Sequence, residues 1–222
     1  MKPNRQTQTD AVLEALGNGR KSLLLQCCCG PCSSYVLEYL SRYFDLTLLF
    51  YNPNIQPQAE YDRRLETLRQ LMARDSAGVR LLDCDYDGAA FTAAARGLEA
   101  EPEGGARCTA CFALRLRETA KRAREEQFDY FCTTLSVSPH KDAERINLLG
   151  EALEAEYGVK WLPSDFKKRG GYARSVALAK DYGLYRQAYC GCLFSRTEAE
   201  KTMAGRDGSG ENRTITEGRI KK

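Results

Sequence analysis

No run of about 20 apolar residues occurs in the 222-residue chain, so no segment is expected to span a membrane. Met1 to Arg20 is polar, broken by charges and without the apolar stretch of a secretory leader. The chain is therefore expected to be cytoplasmic, where thiols stay reduced. The G-x-x-x-x-G-K-[ST] signature is missing, which argues against a P-loop nucleotidase. No G-x-G-x-x-G follows the first apolar run, so nothing points to a dinucleotide. An excess of one charge is also lacking. Lys and Arg number 33 against 30 Asp and Glu, and a net charge of +3 does not announce a nucleic-acid partner. Internal repeats are absent, and histidine occurs once, at His140.

Cysteine, by contrast, is plentiful. Seven of the ten cysteines fall in three tight clusters: Cys28, Cys29 and Cys32 in LLLQCCCGPC, Cys108 and Cys111 in GGARCTACF, and Cys190 and Cys192 in YRQAYCGCLFS. Thiolates so spaced can converge on a soft metal without ordering a long loop. A disulfide scaffold is the blander reading, and a reducing compartment argues against it. Adjacent cysteines do not easily chelate one ion, but they can serve neighbouring ions or corners of a cluster. Seven sulfurs exceed the four of a single tetrahedral zinc, whereas a cubane plus one further metal, or two zinc sites sharing ligands, would use the set. Cys27, Cys84 and Cys132 read as packing residues.

Short apolar runs alternate with helical periodicity. Strands are expected at Ser22–Gln26, Leu46–Tyr51, Val79–Cys84, Tyr130–Thr134 and Val159–Leu162, and helices at Ser33–Tyr43, Gln58–Ala73, Phe112–Glu126, Asp142–Tyr157 and Tyr172–Tyr182. This alternation predicts an α/β domain, a Rossmann-like parallel sheet with helices on both faces. Its chemistry belongs at the carboxyl ends of the strands, and the first cysteine cluster lies at such an end. His140 and Asp165 follow the fourth and fifth expected strands and are candidates for acid–base or orienting roles. Asp83, Asp85 and Asp87 could supply a proton or an oxygen ligand, although caps and turns are the commoner use of such residues. A single domain is expected over 1–203, with a flexible tail over 204–222. Met1 to Asp10 is expected to be mobile as well.

Six collinear segments carry a resemblance: LLLQCCCGPCSSYVLEYL, FYNPNIQPQAEYDRRL, EPEGGARCTACFALRLRETA, TTLSVSPHKD, LPSDFKKRGGYARS and GLYRQAYCGCLFS. Together they are similar to the non-cobalamin epoxyqueuosine reductase family, QueH. One departure is Gln26, where relatives are expected to carry histidine. The resemblance implies a fold like that of the adenine-nucleotide α-hydrolases, and reduction of epoxyqueuosine to queuosine at the wobble position of tRNAs with GUN anticodons. It further implies a [4Fe–4S] cluster beside a mononuclear iron. Cys28, Cys29, Cys32, Cys108, Cys111, Cys190 and Cys192 are the implied ligands, with no partition between the two centres.

Deoxygenating an epoxide takes two electrons and two protons. A site iron can act as Lewis acid while the cluster relays electrons. The sequence shows no flavin site, so an external ferredoxin-like donor or a reductase is expected to supply them. The wobble base must leave its stack to reach the metal. Tyr51, Asn52 and Asn54, with Lys167, Lys168 and Arg169, are placed to dock the RNA loop. Two rivals remain. One is another tRNA-modifying enzyme on this fold that activates its base with ATP, and QCCCGPCSS stands where its phosphate loop would be. The other is a zinc-stapled RNA-binding module without redox activity.

Overall fold

The structure, a computed structural model, describes residues 4–17, 19–75, 78–82 and 84–207. Five strands, β1 Lys21–Gln26, β2 Phe44–Leu49, β3 Arg80–Leu82, β4 Tyr130–Thr133 and β5 Lys160–Trp161, form one parallel sheet in the order β3-β2-β1-β4-β5. The expected Rossmann-like α/β fold is thus the observed one. Leu23, Leu24 and Leu25 are fully buried, as a central strand covered on both faces requires. The two edge strands are the short ones, three and two residues long against the six and four expected from the apolar runs Val79–Cys84 and Val159–Leu162. An edge has hydrogen-bond partners on one side only, so pairing stops before the hydrophobicity does.

The helices are α1 Arg5–Leu16, α2 Gly30–Leu40, α3 Gln58–Asp75, α4 Gly88–Ala94, α5 Ala106–Glu125, α6 Ala143–Tyr157, α7 Gly171–Asp181 and α8 Leu193–Asp207. One group, α2 with α3 and α7, packs together; a second, α4 with α5 and α6, lies over β1 and β4 through α5. Residues 5–10, expected to be mobile, instead open α1. Asn4 caps it through Gln6 N–H, Arg5 is buried against Glu144 of α6 (2.6 Å), and the Thr9 hydroxyl donates to the Pro163 carbonyl (2.7 Å). That docking is made by polar contacts, which an apolar pattern does not register. The expected tail begins inside α8, which reaches residue 207; residues 208–222 lie outside the described residues.

The α6 helix crosses Trp161 closely enough that a Cβ on Gly150 would stand 2.2 Å from the indole Cδ2. The ring cannot yield readily, because its Nε1 donates to Asn147 Oδ1 (3.1 Å). Gly150→Ala is therefore expected to destabilise the protein by about 3 kcal/mol despite alanine's better helix propensity. Urea unfolding would measure this, and an unchanged midpoint would contradict the packing described.

Candidate metal centre

The strand order reverses between β1 and β4, and the crevice above that point collects the site. At the end of β1, Gln26 is fully buried and ties three strand ends together. Its Nε2 donates to Tyr51 O and Asn52 Oδ1 (both 3.1 Å), and its Oε1 accepts from the Thr133 hydroxyl (2.7 Å). The side chain that departs from the expected family pattern therefore acts as a brace beneath the site. Cys27 follows, its N–H donating to Leu49 O (2.9 Å) and its side chain buried in the core. Cys132 is likewise buried and Cys84 packs against the core, in line with packing roles.

The chain then leaves the sheet and turns into α2, with Pro31 in its first turn. The sulfurs of Cys28, Cys29 and Cys32 all lie within 4.8 Å of one another. The adjacent pair converges too, Cys28 Sγ standing 3.8 Å from Cys29 Sγ. Extended backbone at Cys29 followed directly by a helix brings all three side chains to one side. The Cys29 and Cys32 thiols donate toward Cys28 and, with the Lys141 and Arg115 cations, hold its thiol well below the usual range against the effect of burial. Cys29 is pushed up to about 11, chiefly by that same interaction with Cys28, and Cys32 is raised for the same reason. Charge thus gathers on Cys28, with two thiols as its donors.

The other four cysteines form a neighbouring group. α5 starts at Ala106, six residues before the expected Phe112, because Arg107 folds the preceding loop onto it by donating to Glu99 O (2.8 Å). Cys108 and Cys111 consequently sit in its first two turns. Cys111 and Cys192 share a small buried cluster with Phe91 and Ala95. Burial raises Cys111 to about 12; Arg115 opposes this, while Cys190 and Cys192 add to it. Arg64, almost fully buried, fastens the 189–192 loop, donating to Cys190 O (2.8 Å) while paired with Glu60 (2.7 Å). Gly191 has φ 137°, and a Cβ there would stand 3.1 Å from both Arg64 Nη1 and Ile55 Cγ1, so glycine is required.

A cavity of about 300 Å³ opens over these sulfurs, lined by Cys28, Cys32 and Cys190 together with Arg115, His140, Lys141, Asn54, Gln187, Tyr172 and Tyr189. Among the described residues, which include all ten cysteines, no disulfide forms. His140 is exposed on the cavity rim. Asp165 lies in a second cavity of about 630 Å³ that also holds Lys167, Lys168 and Arg169, with Lys141 lining both. There Asp165 pairs with Lys167 (2.5 Å), and Arg169 pairs with Asp10 (2.5 Å). Asn54 reaches the cysteine cavity. Asn52 is buried beneath it, donating to Cys27 O (2.8 Å) and accepting from Arg115 Nη2 (2.6 Å), and half-buried Tyr51 lines neither cavity. Asp87 caps α4 by accepting from Ala90 N–H (3.0 Å), and Asp83 lies outside the described residues.

Sequence reasoning passed over Lys141, Arg64 and Gln187. Lys141 directly follows the singled-out His140, and that adjacency was the available signal. Nothing in the cysteine clusters marks Arg64, whereas Gln187 lies inside the YRQAYCGC segment; both meet partners from distant parts of the chain.

A family profile described as Epoxyqueuosine reductase QueH matches residues 23–198. Proteins named Epoxyqueuosine reductase QueH are similar to most of the chain. The one from Streptococcus pyogenes serotype M1 is 43% identical, over 88% of this chain and 80% of its own. The one from Staphylococcus epidermidis is 46% identical over 79% and 76%, and the one from Thermotoga maritima 35% over 82% and 94%.

Proposed function

The chain belongs to the epoxyqueuosine reductase QueH family, and from this we propose that it reduces the epoxide of epoxyqueuosine at the wobble position of tRNAs with GUN anticodons, giving queuosine. It is an oxidoreductase of queuosine biosynthesis. The observation that carries the reading is the family match across residues 23–198, a span that contains a cysteine triad opening onto a cavity.

The donor set suits iron. Three sulfurs within 4.8 Å of one another, with four more cysteines close by, form a soft, sulfur-rich environment with no disulfide. Cys28, Cys29, Cys32, Cys108, Cys111, Cys190 and Cys192 would hold a [4Fe–4S] cluster and a mononuclear iron. When bound, these supply electrons and Lewis-acid polarisation of the epoxide C–O bond. The protein's own residues do the rest. Arg115 and Lys141 stabilise negative charge as the C–O bonds break, and Lys141 Nζ holds one of the two protons with which the oxygen leaves as water, the second being drawn from solvent through the cavity. His140 on the rim, and Asp165 in the adjoining cavity, are the other candidates for moving that proton. Electrons come from a separate ferredoxin-like donor or reductase.

Tyr172 and Tyr189 offer rings at the cavity on which an unstacked base can rest, and Lys167, Lys168 and Arg169 border the neighbouring cavity, where phosphates of the loop would lie. Lys168→Glu is expected to weaken tRNA binding and to reduce the salt dependence of the affinity; equal affinity at every salt concentration would remove the basic run from the docking surface. A single catalytic domain spans 1–203 in this reading, and the protein is cytoplasmic. Among the described residues no helix is long and apolar enough to cross a membrane.

The deciding experiment is purification without oxygen, followed by iron, zinc and sulfide analysis and incubation of the protein with a reductant and epoxyqueuosine tRNA. Iron with sulfide, and formation of queuosine, is the expected result. A colourless zinc protein without sulfide that leaves the tRNA unchanged would overturn it in favour of a zinc-stapled RNA-binding module.

A further inference from the structure

Two buried oxygens of the cysteine cavity's lining residues have no hydrogen-bond partner: Asn54 Oδ1 and Gln187 Oε1. An acceptor shut away from water without a donor is unfavourable, and such atoms at a binding site mark where a ligand's donor belongs. The orientation of Gln187 follows from its other end, since Nε2 donates to Cys29 Sγ (3.3 Å) and a flipped amide would set oxygen against sulfur. Asn54 is 2% exposed and sits in a tight bend closed by Ile55 N–H donating to Asn52 O (3.0 Å). The buried charged groups on the same walls, Arg64 and Arg115, are donors only. They are suited to an oxygen bearing negative charge and offer nothing to a hydroxyl or amine hydrogen.

We propose that Asn54 Oδ1 and Gln187 Oε1 accept hydrogen bonds from hydroxyl or amine groups carried by the modified base, and so select the modified nucleoside over unmodified guanine. The proposal rests on the epoxyqueuosine reading and adds the residues that recognise the modification. A site built to bond a substrate's OH or NH groups discriminates strongly against a ligand that lacks them, because its own acceptors are then left unpaired.

The test compares the affinity of anaerobically prepared, metal-loaded protein for epoxyqueuosine tRNA and for the same tRNA with guanine at the wobble position. Asn54→Leu is expected to weaken binding of the first by about tenfold and of the second by less than about twofold, the loss of one hydrogen bond. Asn54→Asp, which keeps an acceptor in place, should recover most of the affinity. Asn54→Ala repeats the measurement should the leucine variant fail to fold. Equal weakening for both tRNAs would show a general structural or RNA-binding role, and no weakening for either would show that the oxygen meets no donor; both results overturn the proposal. Wild-type protein that binds both tRNAs equally and reduces neither would instead remove the underlying epoxyqueuosine reading.

Discussion

Cys29→Ser is expected to abolish turnover of epoxyqueuosine tRNA while leaving the protein folded. The backbone contacts that start α2 are indifferent to the change. Ser33 N–H and Ser33 Oγ both donate to the Cys29 carbonyl (3.2 and 2.7 Å), and a serine keeps that carbonyl. What is lost is the sulfur that stands 3.8 Å from Cys28 and accepts from Gln187. A serine oxygen is a harder and far less acidic donor and does not replace a thiolate toward iron. Iron and sulfide per chain should fall together with activity, and the thermal midpoint of the metal-free protein should be almost unmoved. Cys27→Ser is the matching control. Cys27 is the adjacent residue, yet it is wholly buried in the core, and burial raises its thiol. Its loss should cost roughly 1 to 2 kcal/mol of stability and spare activity. A Cys29→Ser protein with full metal content and near-normal turnover would contradict the assignment of the triad as the metal centre.

Lys141→Met is expected to lower the rate of the reductive step by about a hundredfold or more with iron content retained, the range found when a preorganised charge at a reacting oxygen is removed. Burial works against the Lys141 ammonium, but Cys190, Cys28 and Cys32 outweigh it, and the net effect raises its pKa above the ordinary 10.5. The sign follows directly. A cation whose folded pKa is raised contributes stability fully below its unfolded pKa and loses that contribution only as pH rises through the folded value. Lys141 therefore stays charged across the neutral range, and no limb of the rate profile between about pH 6 and 9 should belong to it. Single-turnover rates across that range would check both points. Unaltered rates in Lys141→Met would shift the proton to His140 or Asp165.

The fold was legible because its central strands are continuous apolar runs, Leu23 to Leu25 above all, and because turns and breakers separate them from amphipathic helices. The triad was legible as well, since a stretch of only five residues holds Cys28, Cys29 and Cys32 together whatever the rest does. The failures have common causes. α1 docks through Arg5 and Thr9, whose polarity reads as solvent exposure when their partners, Glu144 and Pro163, are unknown. The early start of α5 depends on Arg107 meeting carbonyls of the preceding loop. Lys167, Lys168 and Arg169 read as one basic run, but the structure gives Lys167 and Arg169 acidic partners, Asp165 and Asp10. Arg64, which holds the Cys190 loop from α3, joins positions 126 apart in the chain. Local pattern reports local geometry, and these contacts lie beyond its reach.

The spread of the cysteines has a consequence for biosynthesis. Cys28 leaves the ribosome long before Cys192, and at ordinary elongation rates the interval is on the order of ten to thirty seconds. For that time the nascent chain carries closely spaced thiols whose full set of companions has not yet been made. The half-finished polypeptide is then open to oxidation that the completed protein resists by burying Cys28 and Cys29 and half-burying Cys32. Oxidative stress should therefore lower the yield of newly made active protein before it inactivates protein already assembled.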